Sequence, residues 1–367
     1  MNVEKVLVHL FVEKLERPIT NALAIGAEVC TIACQVFTNE GIVGEGYGWS
    51  VGYGRGRLIA SAVREASVLM LGEDPLRIEG AWRRFWDFSN FIGHAGLTVI
   101  GMSVIDMALW DIRCKSTSTP LWVAVGGHRD HAPIYSSDLA DRPLGMGIPT
   151  SELVDAAEAL IQQGFTTFKT FTREPYASTI QLNELASALG PDIRLALDFV
   201  QACDANTAIR ACQAVEDTGL LWIEDPTPFD DLDGTAVVAS ALRTPVCTGE
   251  QLYNVYEVRR LLEQTSVRYL NIDLQRCGGI TGWIKFAHLA EAYGVEVAAH
   301  GYPHIGAHLV SGTRNAVTGE SLPWWDRIAG PRSPVEAGQV KAPAEPGIGI
   351  HLDPSALERS QTEIVTA

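Results

Sequence analysis

"IRLALD" (193–198), "LLWIE" (220–224), "PVCTGE" (245–250), "RYLNID" (268–273) and "VEVAAH" (295–300) are short apolar runs, each closed by an ionisable residue. Their last residues, Asp198, Glu224, Glu250, Asp273 and His300, follow one another at spacings of 26, 26, 23 and 27 positions. Working outward, the pattern recurs upstream in "APIYSS" (132–137, ending at Ser137) and "TTFK" (166–169, ending at Lys169), and downstream in "AVTGE" (316–320, ending at Glu320). Between the runs lie amphipathic stretches such as 206–218, 256–264 and 282–293, with apolar residues three and four apart. Continuous apolar strands alternating with helices mean a parallel sheet covered on both faces. About eight such units in roughly 200 residues fit a closed (β/α)8 barrel better than an open sheet. In such barrels the strand C-termini converge on one mouth, where active sites form. Any single carboxylate there reads equally well as a helix cap; seven successive ionisable endings do not.

The flanks differ. Residues 3–12 and 29–37 are strand-like, "TNEGIVGEG" reads as a hairpin, and "HAGLTVIGMSVIDMALWDIRCKS" reads as helix. Short strand-like and turn segments return after about residue 330. The expected division is an α+β cap over 1–125, a barrel over 126–330 and a C-terminal segment, 331–367, returning to the cap. No low-complexity linker separates them, so tight packing is expected.

The remaining composition narrows the function classes. Of the 367 residues, 47% are hydrophobic and 20% charged, ordinary values for a globular protein that buries a large core. No apolar run is long enough for a membrane span. The start, "MNVEKVLVHLFVEKLERP", lacks the unbroken apolar core of a signal peptide. Seven scattered cysteines read as reduced, buried thiols, and a cytoplasmic location is expected. A net charge of −16 repels phosphate backbones, which argues against nucleic acid.

Asp198, Glu224 and Glu250 end three consecutive strands. Held close together they would repel unless a cation offset them. Oxygen ligands without paired Cys or His favour a hard divalent ion, Mg2+ over Zn2+. On one side, Asp273 and His300 end the next two strands, where a carboxylate can fix the tautomer of an imidazole and raise its basicity. On the other side stands Lys169.

This set resembles the enolase superfamily, and most of all its mandelate racemase subgroup. The resemblance spans the chain and rests on "ALDFV", "WIEDP", "CTGEQ", "NIDLQRCGG", "AAHGYPHIGAHL" and "TGESLPWW", with "GMSVIDMALWDIRCK" similar to the helix before the barrel. It implies a modified, (β/α)7β-type barrel and abstraction of a proton α to a carboxylate. Asp198, Glu224 and Glu250 would hold Mg2+ and His300 with Asp273 would be the base. Glu320, protonated in a desolvated site, would donate to the second carboxylate oxygen of a small-molecule substrate. A homo-oligomer, often an octamer, is also implied.

Departures from the family pattern decide the reaction expected. Racemases of the subgroup carry Lys-x-Lys on the second strand, the second lysine serving the opposite substrate face. Here the triplet is Lys169-Thr170-Phe171. Lys169 matches the first lysine, which lies beside the substrate carboxylate and metal; Phe171 replaces the base. Arg173 stays protonated and is a poor substitute. With one base, β-elimination is favoured over racemisation: dehydration of a sugar acid, aldonate or aldarate, to a 2-keto-3-deoxy acid. A racemase, a lactone cycloisomerase and an inactive metal-binding scaffold are the rivals.

Some sugar-acid dehydratases of the superfamily place a histidine two residues after the first metal ligand; here that residue is Val200. Asp138 could act as an acid but reads better as a loop cap. The glycine-rich "GYGWSVGYGRGRL" (46–58) lacks the order of a dinucleotide loop. By resemblance, that region and 18–28 close over the substrate, which makes Asn21, Trp49, Tyr53 and Arg55 specificity candidates. His304 and His308 read as a helix-end and a packed histidine.

Overall fold

In the computed structural model, which describes residues 1–20, 25–322, 324 and 328–366, the chain begins as an antiparallel meander. β1 (Val3–Thr20), β2 (Ile25–Thr38) and β3 (Val43–Val51) pair in sequence order. The β2–β3 turn is closed by a bond from the Gly41 N–H to the Thr38 carbonyl, with Gly41 at φ 80°. Alternation sends Val6, Val8 and Leu10 of β1 and Ile32, Cys34 and Val36 of β2 into a cap core. That core is completed by α1 (Tyr53–Val68), α2 (Ile78–Phe88) and α3 (Leu97–Ser116).

The glycines of the 46–58 stretch serve packing. A Cβ at Gly46 would sit 2.2 Å from the Val104 carbonyl oxygen of α3, so the strand can lie against the helix only without one. α3 in turn is tied to the barrel through Asp106. Its carboxylate accepts from the Trp82 indole (2.7 Å), the Thr281 N–H (3.0 Å) and the Thr281 hydroxyl (2.6 Å).

After α4 (Leu121–Ala124) come the barrel strands: β4 (His131–Ser136), β5 (Thr167–Phe171), β6 (Arg194–Asp198), β7 (Ile223–Glu224), β8 (Val246–Thr248), β9 (Tyr269–Asp273), β10 (Glu296–His300) and β11 (Ala316–Ser321). Each pairs parallel with the next, and β11 pairs with β4 through Glu320↔Tyr135, which closes the cylinder. Between them run α5 (Thr150–Gln162), α6 (Pro175–Leu189), α7 (Ala205–Gln213), α8 (Leu232–Ala241), α9 (Val255–Gln264), α10 (Leu274–Cys277) with α11 (Gly279–Ala292), and α12 (Pro303–Gly312). Local chemistry starts several of these helices. Asp204, Asp231 and Asn254 each accept a first-turn N–H at the N-cap.

Among the described residues β11 is followed by strand, giving the (β/α)7β form. β12 (Val335–Glu336) pairs with β13 (Gln339–Lys341), which pairs antiparallel with β4. Past α13 (Pro354–Glu358), β14 (Gln361–Thr366) pairs with β1, so the C-terminal tail joins the cap sheet. No described helix is long and apolar enough to cross a membrane.

The barrel lumen is what positions the site. Tyr135, Ala196, Trp222, Cys247 and Ala298 fill it as one buried cluster. Two residues further along their chains, on the same face by the strand period, come Ser137, Asp198, Glu224, Gly249 and His300. An apolar plug thus lies beneath an ionic layer at the mouth.

Candidate functional site

Lys169 is 1% exposed at the centre of that ionic layer. Its ammonium lies 2.7 Å from Glu224, 3.0 Å from Glu320 and 3.4 Å from Asp198. The Phe171 ring is 5.1 Å away and the Tyr135 ring 5.8 Å. Burial alone pushes its pKa down, but Glu224 and Glu320 outweigh this and hold the ammonium well above the ordinary range.

Glu224 is gripped from below. Besides Lys169, it accepts from the Asn271 amide at 2.9 Å and the Trp222 indole at 2.8 Å. Both donors are one pleat beneath strand-end acids, Asn271 below Asp273 and Trp222 below Glu224 itself. Glu320 accepts from the Ser137 hydroxyl and from the Gly301 N–H at 2.8 Å. The donor role expected of Glu320 requires a protonated carboxyl. Here burial, which favours the proton, is outweighed by Lys169 and His300, and the pKa is lowered.

The imidazole has an equally defined setting. His300 Nδ1 lies 2.8 Å from Asp273 Oδ2, while Asp273 Oδ1 accepts the Arg276 N–H at 3.0 Å. Asp273 is therefore both the cap of α10 and the partner of the histidine. His300 Nε2 points at Glu250 (2.9 Å) and Glu320 (3.7 Å). Burial pushes the imidazole pKa down, but Glu320 and Glu250 raise it well above 6.5. Glu250 is held low in return: burial is overcome by His300 and by Arg276, whose guanidinium is 3.8 Å away.

Of these groups Lys169, Asp198, Glu250, Arg276, His300 and Glu320 line a cavity of about 160 Å³ between cap and barrel. A larger one, about 760 Å³, lies under the C-terminal segment near Phe165, Arg332 and His351 and contains none of the strand-end acids. Asp198, Glu250 and Glu320 of the strand ends, with Lys169 and His300, line the smaller cavity. Trp49 lines it, as do Phe171 and Val200. Tyr53 and Arg55 do not: Tyr53 bonds Gln361 at 3.2 Å and Arg55 bonds the Val51 carbonyl at 3.1 Å, both at the surface. Asn21 lies outside the described residues. Asp138 begins a short 3-10 turn beside the larger cavity. His304 reaches the Gly330 and Pro331 carbonyls, and His308 Nδ1 accepts from the Trp122 N–H at 3.2 Å; neither lines the smaller cavity.

Sequence reading missed Asp225, Asn271, Trp222 and Arg276 as parts of the site. Asp225 has φ 40°, lines the cavity and accepts from the Thr248 hydroxyl at 2.5 Å. Burial, then Glu250 and Glu224, push its pKa up to about 8. Asp198 is also raised, by burial and then by Glu224, against the pull of Lys169. Among the described residues, Asp198, Glu224, Asp225, Glu250, Asp273 and Glu320 thus surround two permanent cations, Lys169 and Arg276. Among the described residues no three acidic or histidine side chains close into a ready ligand cluster. The excess of buried carboxylate over cation nevertheless suits a hard divalent ion, which Asp198, Glu224 and Glu250 could hold.

Comparison with known proteins bears on the family. Residues 5–126 match the model of the mandelate racemase / muconate lactonizing enzyme N-terminal domain, and residues 152–356 match that of the enolase C-terminal domain-like family. The chain belongs to the enolase superfamily, in its mandelate racemase group. A D-galactonate dehydratase of Variovorax paradoxus is 31% identical over 277 residues, covering 72% of this chain and 70% of that protein. A 3,6-anhydro-alpha-L-galactonate cycloisomerase of Streptomyces coelicolor is 27% identical over 332 residues, covering 89% and 90%. The crystal structure of L-talarate/galactarate dehydratase from Salmonella typhimurium, liganded with Mg and L-lyxarohydroxamate, superposes with a TM-score of 0.93 at 26% identity, covering 100% of this chain and 94% of that one. This member of the superfamily thus has relatives that are dehydratases and one that is a cycloisomerase.

Proposed function

We propose that this enolase-superfamily enzyme is a Mg2+-dependent hydro-lyase that dehydrates a sugar acid to its 2-keto-3-deoxy acid. The observation that carries the reading is the asymmetry of the cavity walls. One wall presents Nε2 of a histidine whose Nδ1 is fixed by Asp273; the facing position on β5 is Phe171. A 1,1-proton transfer needs an acid–base group on each face, whereas elimination needs only one.

His300 Nε2 takes the proton from C2 of the substrate. Its electron pair forms the C2–C3 double bond while the C3–O bond breaks, and the imidazolium returns that proton to the departing hydroxide as water. The resulting enol tautomerises to the 2-keto acid. Asp273 keeps Nε2 the reactive nitrogen and stabilises the imidazolium. Lys169 meets the developing negative charge on the substrate carboxylate, with its ammonium held in place by Glu224. Asp198, Glu224 and Glu250 would hold Mg2+, which would supply Lewis-acid charge at the substrate carboxylate. Glu250 and Glu320 raise the His300 pKa; with Glu250 engaged by the cation and Glu320 by the substrate, that influence would weaken and leave the imidazole able to act as a base.

The test is a library of aldonates and aldarates incubated with protein and Mg2+, with 2-keto acids read as semicarbazones and C2 exchange followed in D2O. Dehydration with loss on His300→Asn is expected. Racemisation of a 2-hydroxy acid, or lactone ring closure seen by product NMR, without keto-acid formation would replace this reading by one of its rivals.

A further inference from the structure

We propose that Gln275 is a positioning residue: it fixes the cap strand β3 to the catalytic dyad and so sets how tightly the enzyme holds a substrate long enough to reach the cap. The substrate half of this proposal rests on the dehydration reading above.

β3 is an edge strand of the cap sheet, so alternate N–H groups along it face away from β2. Two of these, four residues apart, are taken by side-chain oxygens from outside the sheet. The Glu45 N–H donates to Asp111 Oδ2 of α3 at 2.9 Å, and the Trp49 N–H donates to Gln275 Oε1 of α10 at 3.0 Å. The second bond crosses from cap to barrel. A backbone N–H can only donate, so the oxygen of the Gln275 amide must face the strand. Gly48 makes the approach possible: a Cβ there would lie 3.3 Å from Gln275 Oε1 and 3.0 Å from Val104 Cγ2.

The same Oε1 accepts from the Tyr302 hydroxyl at 3.1 Å, and the Tyr302 ring packs on Tyr47 of β3 with centroids 4.9 Å apart. Gln275, Tyr302 and Tyr47 are all buried. Gln275 stands two residues after Asp273, and Tyr302 two residues after His300. The bond that orients the base, Asp273 to His300, is thus repeated two residues on by the bond from Tyr302 to Gln275. Both partners of this second pair hold β3, one through the Trp49 N–H and the other through Tyr47. Tyr302 keeps φ 54°, left-handed backbone that is strained for an aromatic residue and is held here by these contacts.

This arrangement separates two tasks. His300 is oriented by Asp273, whose other oxygen accepts the Arg276 N–H, and neither bond uses the Gln275 side chain. Trp49, which lines the cavity from the cap side, has its backbone placed by Gln275. Loss of the Gln275 acceptor should therefore loosen the cap wall and leave the base in place. A contact made equally before and during reaction changes KM and spares kcat.

The experiment compares the parent with Gln275→Leu, which removes the acceptor at similar volume, and with Gly48→Ala, which meets the same contact from the strand side. Hexonates of all configurations are assayed with Mg2+ for keto acid and for C2 exchange in D2O. Glycerate, which has carbons C1–C3 alone, is measured as a competitive inhibitor. Both variants are expected to raise KM for the hexonate turned over by about tenfold, with kcat and the glycerate Ki within about twofold of the parent. Mg2+ affinity by calorimetry should match the parent's, which a general loosening of the site would not allow. Amide hydrogen exchange of peptides spanning β3, read by mass spectrometry, should be faster in Gln275→Leu. A fall in kcat at unchanged KM, or equal weakening of hexonate and glycerate, overturns the inference and leaves the dehydration reading intact. Unchanged amide exchange of β3 in Gln275→Leu overturns it whatever the reaction. Absence of keto acid and C2 exchange for every hexonate with the parent protein refutes the dehydration reading and the substrate role of Gln275 with it.

Discussion

Replacing Phe171 with lysine should open the second face of the substrate. On β5, residues 169 and 171 share one face, and the Lys169 ammonium is 5.1 Å from the centre of the Phe171 ring. A lysine at 171 places a second ammonium at roughly that distance. At an effective dielectric of about 20, two unit charges about 5 Å apart repel by about 3 kcal/mol, equivalent to a pKa depression of about two units. Asp198, the register partner of Phe171, acts in the opposite direction. A net depression of about one unit then brings the new amine from about 10.4 to about 9.4. An amine titrating there is a usable base in mildly alkaline solution.

The assay is deuterium incorporation at C2 by proton NMR in D2O with Mg2+, using both C2 epimers of one substrate between about pH 7 and 9.5. The parent protein should exchange one epimer alone, through His300. Phe171→Lys should exchange both, the new activity rising with pH across that range as the amine loses its proton. If the parent protein exchanges both epimers at similar rates, the single-base argument is wrong. It is equally wrong if a folded Phe171→Lys protein that binds Mg2+ still exchanges only one across that range.

Three further outcomes follow from individual side chains. His300→Asn should lower C2 exchange by at least about 100-fold while Mg2+ affinity by calorimetry stays near that of the parent; retained exchange would move the base elsewhere. Asn271→Leu removes the 2.9 Å bond to Glu224. It should weaken Mg2+ binding by about 10- to 100-fold and cost about 1.5–3 kcal/mol of folding stability; a variant matching the parent in both titration and melting would sink this role. His308 is fully buried, and burial, with the charge of His304, lowers its pKa to about 3. Its unfolded pKa is about 6.5, so between these values the unfolded chain takes up a proton that the folded one does not, and stability falls as pH drops from about 6.5 toward 3 by up to about 1.4 kcal/mol per unit. Urea titrations should show a shallower acid-side decline for His308→Asn, whose amide oxygen can still accept from the Trp122 N–H; identical slopes would refute the assignment.

The barrel was legible because strands buried on two faces are continuously apolar, so the polar residue that ends each one stands out. β7 shows how little regular structure the signal needs: only Ile223 and Glu224 form the strand, yet the "LLWIE" spacing located it. Helix extents were less legible. The amphipathic stretch 206–218 divides into α7, ending at Gln213, and a separate 3-10 turn, Glu216–Thr218. The cap contacts failed for a backbone reason. Gly52, at φ 87°, swings the chain from β3 into α1, so Trp49 stays over the cavity while Tyr53 and Arg55 turn to the surface. No hydropathy pattern marks that turn. Asn271 and Trp222, by contrast, could have been found: each precedes a strand-end acid by two residues, the period that puts both in the lumen. Asp225 could not, because it enters the cavity only through its left-handed backbone.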